Sequence, residues 1–178
     1  MSNTFFTADL HLGHYNIIRY CNRPFSSVYE MDEAIIENWN DVVSPRDSVY
    51  VLGDFAYRTS TIYDVNKYFG RLAGNKLLIL GNHDKGHVRH LPWGWVKDVY
   101  LLKGLNDYGI WLSHYAHRTW PHSFRGSWHL YGHSHDNLPP YGLSFDVGID
   151  SHDYQLVPLE DIQTKMKALK EDLTLKVI

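Results

Sequence analysis

Short apolar runs alternate with amphipathic stretches along this chain, and the period of the pattern changes from run to run. "TFFTA" (4–8) predicts a strand running into a loop, and "HYNIIRYC" (14–21) a short helix. "MDEAIIENWNDVV" (31–43) sets Met31, Ile35, Trp39 and Val42 at helical spacing as one apolar stripe. Ser27, with Glu30 three residues on, reads as a capping box ahead of it. "SVYVLGD" (48–54) and "KLLILGNHD" (76–84) are β-rich runs that end in glycine, and "TIYDVNKYFGRL" (61–72) between them has helical period. This βαβαβ order predicts a sheet with crossover helices.

The second half changes character. "VKDVYLL" (96–102), "GIWLSH" (109–114), "WHLYGH" (128–133) and "LSFDVGI" (143–149) read as strands, mostly without helices between them, in the manner of a meander. "GIDSHDY" (148–154) reads as a turn leaving a strand. "PLEDIQTKMKALKEDL" (158–173) predicts a helix with Pro158 in its first turn and Leu159, Ile162, Met166 and Leu169 on one face. With no linker-like or repeated stretch, the 178 residues are expected to form a single domain, 1–178.

Composition narrows the function classes. At 44% hydrophobic and 21% charged the chain is ordinary globular material. The formal charge is −3 and no block of lysines or arginines appears, which disfavours a protein that coats long nucleic acid. Nothing approaches the ~20 apolar residues of a membrane span, so no membrane partner is expected. A single cysteine, Cys21, cannot form an internal disulfide, and a cytoplasmic location is expected. The 12 histidines stand out, and they raise metal chemistry only if they fall at useful places.

Their placement is the informative feature. The first predicted strand ends in Asp9 and His11, the second in Asp54, and the third in Asn82, His83 and Asp84. "GIWLSH" ends in His114, and "WHLYGH" runs into His133 and His135. Taken singly, Asp9, Asp54 and Asn82 are turn or cap formers, and His114 is an ordinary core histidine. Turn chemistry alone does not predict N and O metal ligands at strand end after strand end, where α/β sheets bind ligands. Nor does it predict Gly53, Gly81 and Gly132, which let backbone pass close to a crowded centre. Residues i and i+2 of an extended chain point the same way, so Asp9/His11 and His133/His135 are each expected to present two side chains together. The set has imidazoles, carboxylates and an amide but no thiolate, which suits Mn²⁺, Fe, Ni²⁺, Co²⁺ or catalytic Zn²⁺. Seven candidates exceed one tetrahedral ion and fit two ions sharing a carboxylate.

The series Asp9-x-His11, Gly53-Asp54, Gly81-Asn82-His83-Asp84, His114 and Gly132-His133-x-His135 resembles the calcineurin-like metallophosphoesterases, in family order. The one departure is Ser113, where the family often has glycine. The resemblance implies an α/β fold, a four-layer α/β/β/α sandwich with two central mixed β-sheets. It implies two divalent metal ions, with manganese first among the candidates. One ion would be held by Asp9, His11 and His135, the other by Asn82, His114 and His133, with Asp54 bridging. A bridging water or hydroxide would attack a phosphoester, His83 would protonate the leaving group or help hold the phosphate, and Asp84 would orient His83.

The resemblance leaves the substrate open. A small phosphodiester or nucleotide-like phosphoester is expected, with a phosphomonoester, or short nucleic acid cut by a single-strand nuclease, as alternatives. A non-catalytic metal-binding scaffold is a further alternative from another class, and it need not keep every ligand. The chain leaves little sequence for a cap domain, so an open, shallow site is expected. Candidate substrate residues are His14 and Asn16, just past the first ligands, and Arg125, in the aromatic connection 115–128. Arg19 and Arg23 read as solvated, and His87, His90, His122 and His152 as surface histidines.

Overall fold

The structure is a computed structural model that describes residues 2–57 and 61–175. Its first sheet holds β1 (Thr4–Thr7), β2 (Ser48–Val51), β3 (Asn75–Ile79), β4 (Val96–Lys97) and β9 (Val157–Pro158), in the order β4-β3-β2-β1-β9. β1 to β4 are parallel and β9 runs antiparallel against β1. The second sheet holds β5 (Val99–Leu102), β6 (Ile110–Ser113), β7 (Trp128–Tyr131) and β8 (Ser144–Asp146), in that order. The helices are α1 (Tyr15–Tyr20), α2 (Val28–Val42), α3 (Ile62–Arg71) and α4 (Leu159–Leu175).

Alternation along the first-sheet strands builds two cores at once. Phe5, Val49, Val51 and Leu78 pack with Met31, Ile35 and Trp39 of α2 and with Val65 and Phe69 of α3. Phe6, Leu52 and Ile79 point the other way, onto Ile110, Leu112, Leu130 and Phe145 of the second sheet and Ile162 and Met166 of α4. A sheet covered on both faces needs near-continuous apolar runs, which is what "TFF", "VYVL" and "LLIL" supply. The result is the expected α/β architecture, two central mixed sheets with flanking helices.

Several elements differ from the sequence expectation. The run 96–102 is two strands: it leaves the first sheet after β4 and enters the second as β5. The second half is no meander, because β6–β7 and β7–β8 are parallel pairs joined by long loops. Pro158 lies in the edge strand β9, where a missing N–H costs no ladder bond, and α4 begins after it. Val42 is 42% exposed and Val43 takes its place in the core. Only half of the capping box at α2 forms. Ser27 Oγ accepts from the Glu30 N–H, but the Glu30 carboxylate turns to the N–H and hydroxyl of Ser26. A complete box caps α3 instead, from Thr61 and Asp64. No helix among the described residues is long and apolar enough to cross a membrane.

Candidate metal centre

Loops leaving β1, β2, β3, β6 and β7 meet over one edge of the paired sheets, and all the sequence-predicted ligands lie on them. The loops are sewn together by backbone hydrogen bonds. Asp9 N–H donates to Gly53 O (3.0 Å), His11 N–H to Asp54 O (2.9 Å) and Gly132 N–H to His114 O (3.0 Å). The chains approach so closely that a Cβ at Gly53 would strike the His114 ring, one at Gly81 the Asp54 carboxylate, and one at Gly132 Ala8 and Asp9.

The expectation of extended backbone at Asp9/His11 and His133/His135 is wrong. Asp9 (φ 58°), His11 (φ 51°), Asp54 (φ 56°), His133 (φ 67°) and His135 (φ 45°) all adopt the left-handed conformation. Each costs a non-glycine residue roughly 1–2 kcal/mol. Strain of this kind persists where the surroundings over-determine it, and it gathers at functional sites. Here it turns consecutive side chains inward from tight loops rather than along a strand.

Two donor groups result. Ligand atoms of Asp9, His11 and His135 lie within 4.8 Å of one another, as do those of Asp54, His114 and His133. Asp54 stands between the two sides: its Oδ2 is 3.5 Å from His11 Nε2 and 3.6 Å from His114 Nε2. Asn82 Oδ1 is 3.0 Å from His114 Nε2, on the His114 side.

The protonation pattern fits bound cations. His114 Nδ1 donates to Leu52 O (2.8 Å), so the neutral ring has its lone pair on Nε2, facing two oxygens that also carry lone pairs. Burial holds His114 and, further, His11 below the ordinary histidine range, and holds Asp9 well above the usual carboxylate range. Asp9 Oδ1 and His11 Nε2 are buried with no hydrogen-bond partner among the described residues. Buried polar atoms left without a partner cost free energy, and a bound cation would satisfy both the carboxylate oxygen and the imidazole nitrogen. The nitrogen and oxygen donors present therefore fit divalent metal ions on both sides of Asp54.

His83 Nε2 lies 4.0 Å from Asp54 Oδ2 at the rim, its side chain 23% exposed, and its N–H donates to Asp54 Oδ1 (2.8 Å). The expected pairing with Asp84 does not form. Asp84 accepts from the N–H groups of Asp54 (2.7 Å), Phe55 (2.9 Å) and Gly81 (2.9 Å), so it braces the Asp54 loop instead. Burial pushes its carboxyl up to about 7 despite those bonds. A carboxylate–imidazole pair exists elsewhere: Asp150 Oδ2 bonds His135 Nδ1 at 2.7 Å. Burial opposes charge on His135, but the bonds to Asp150 and Cys21 together with the charge of Asp9 outweigh it and raise the ring to about 10.

Asp150 belongs to the "GIDSHDY" turn, whose sequence signals only punctuation, and it is ion-paired with Arg23. Arg23 is buried rather than solvated. His152 is half-buried with Nε2 bonded to Asp146 O (2.9 Å), whereas His87, His90 and His122 are exposed as expected. Cys21 sits with His135 and Asp150 in a further group of potential ligands that the sequence does not announce, and His83 groups with His11 and Asp54.

The substrate candidates scatter. His14 is buried, with its ring stacked on Tyr57 (4.2 Å between centroids) and 5.9 Å from His83. Asn16 is exposed on α1 beside a small cleft formed with Tyr15, Ile18, Arg19 and Ser26. Arg125 is remote. Because β6 and β7 are parallel, the connection between them must return to the far end of the strands, and Arg125 sits there against α4 in a cleft with Tyr108, Trp128 and Lys167. Only the start of that connection stays at the site. Tyr115, 49% exposed, lies 4.5 Å from the His133 ring with its hydroxyl 3.5 Å from Asn82 Oδ1. Ser113, the departure from the family pattern, donates to Tyr115 O (2.8 Å) and is bonded by the buried His129 (2.8 Å).

Known proteins resemble this chain in sequence and in fold. An uncharacterized protein of Methanocaldococcus jannaschii is 32% identical over 167 residues, covering 90% of this chain and 89% of that protein. The Gene 66 protein of Mycobacterium phage D29 is 27% identical over 204 residues, covering 97% of this chain and all of that protein. The crystal structure of an Aquifex aeolicus protein of unknown function superposes with a TM-score of 0.73 at 23% identity, over 92% of this chain and 99% of that one. The model of the calcineurin-like phosphoesterases matches residues 3–164, and the chain belongs to that family.

Proposed function

We propose that the chain is a two-metal phosphoesterase acting on phosphodiesters or nucleotide-like phosphoesters, with short nucleic acid as a further substrate. The observation that carries this is the pair of donor groups on either side of Asp54, with the buried atoms Asp9 Oδ1 and His11 Nε2 left without a hydrogen-bond partner. Asp9, His11 and His135 would hold one ion, Asn82, His114 and His133 the other, and Asp54 would reach both. Divalent ions held there would supply positive charge for the phosphoryl oxygens and would bring the pKa of water toward neutral. Manganese, put first by the family resemblance, is compatible with a donor set of imidazoles, carboxylates and an amide, as are Fe, Ni²⁺, Co²⁺ and Zn²⁺.

The protein's own groups do the rest. Arg23 and Asp84 hold the Asp9 and Asp54 loops against their backbone strain. His83, at the open rim, is placed to give a proton to the departing alkoxide. Tyr115 offers an exposed ring beside His133, a face on which a base can stack. A chain with one cysteine suits the reducing cytoplasm.

The test is hydrolysis of bis-p-nitrophenyl phosphate and p-nitrophenyl phosphate by protein loaded in turn with Mn²⁺, Ni²⁺, Co²⁺ and Zn²⁺. Metal-dependent turnover, faster on the diester, is expected. Turnover confined to the monoester would move the assignment to a phosphatase, and none with any metal would refute it.

A further inference from the structure

Arg23 is the most heavily engaged side chain near the centre that touches none of the candidate ligands' side chains. Its side chain is fully buried. Nε and Nη2 bond both oxygens of Asp150 at 2.8 Å, Nη2 also donates to Asp9 O (2.7 Å), and Nη1 donates to Leu10 O (3.1 Å). Asp150 in turn accepts from His135 Nδ1 at 2.7 Å. One guanidinium therefore ties together the loop after β1, with its left-handed Asp9, and the ring of His135 from the loop after β7. The three residues lie far apart in sequence: Arg23 in the loop between α1 and α2, His135 after β7, and Asp150 in the turn after β8.

We infer that Arg23 and Asp150 are positioning residues for one ion alone, the ion of Asp9, His11 and His135. Asp150 holds a proton of His135 on Nδ1, so Nε2 is the nitrogen that would take the ion, giving up its own proton as the ion binds. Arg23 holds Asp150 in place by a bidentate fork and pins the carbonyl of Asp9. Carboxylate partners of metal-binding histidines work in this way, and their removal commonly lowers metal affinity 10–100-fold. On the other side the corresponding task falls to a backbone carbonyl, Leu52 O on His114 Nδ1, which no side-chain substitution removes. The pair thus divides the centre into a side held by charge and a side held by backbone.

The inference rests on the two-metal proposal, and the experiment separates the two. Mn²⁺ binding is measured by chelator competition and elemental analysis on the folded full chain, for wild type and Asp150→Asn. Wild type should hold two ions. Asp150→Asn should bind one ion as wild type does and the other 10–100-fold more weakly. Arg23→Lys, which keeps the charge but loses the fork, should fall between them, a graded recovery that a merely structural role would not give. If Asp150→Asn fails to fold because Arg23 is left unpaired, the double variant Arg23→Met/Asp150→Asn removes the buried charge and should show the same loss at one ion. Two ions of unchanged affinity in the folded variant would overturn the inference, as would equal weakening of both. A wild type that binds no pair of ions would instead refute the two-metal proposal.

Discussion

On one side of Asp54 the donors are the more enclosed: Asp9 and His11 are buried, and the Arg23–Asp150 ion pair stands behind the half-buried His135. On the other side His133 is exposed with the ring of Tyr115 beside it, and the ring of His114 is fixed by the carbonyl of Leu52. The same ligand chemistry is thus held by two different means. The enclosed side depends on side chains that must be correct individually, and its ion should exchange slowly. The open side is held by the strand end itself, and it faces the solvent from which substrate arrives.

The largest effect should come from removing what the sides share. Asp54→Ala should abolish phosphodiester hydrolysis and lower the metal content on both sides, read by elemental analysis. Two ions retained at full affinity would mean that the sides are independent. His83→Ala should reduce kcat by about 10²–10⁴-fold, the usual contribution of a general acid, while both ions remain. Lost metal in that variant would make His83 a ligand, as its grouping with His11 and Asp54 allows.

A smaller effect concerns the support of the open side. Burial pushes His129 down to about 3, between Ser113 and Ser144. Its folded pKa lies below the unfolded value of about 6.5, so the unfolded chain takes up the proton first. The stability it confers is complete above about pH 6.5 and falls as pH drops toward 3, by about 2 kcal/mol between pH 6.5 and 5. Denaturant titrations should show that loss in wild type and a flatter profile in His129→Gln. The smallest effect should be at Arg125, which belongs to neither side: Arg125→Ala should leave kcat/KM within about 2-fold, since isolated surface changes act weakly.

Much of this centre is visible in the sequence because ligands follow strands directly. Gly53 beside Asp54, and Gly81 beside Asn82 and His83, mark both the strand ends and the crowding there. The left-handed backbone of Asp9 and His11 is not visible, because alternation describes extended chain and these residues have left it. Arg23 and Asp150 escape notice for another reason. They meet across 127 positions, and each taken alone resembles a surface arginine or a turn aspartate. Arg125 misleads because a loop lying between two ligand-bearing strands looks close to the site until the strands prove parallel.

Anomalous diffraction from crystals soaked in Mn²⁺ tests the central claim most directly. Two peaks are expected about 3.5–4 Å apart, flanking the Asp54 carboxylate, one among Asp9, His11 and His135 and one among Asn82, His114 and His133. A single peak, or a peak seated among Cys21, His135 and Asp150 with Asp54 bare, would contradict it.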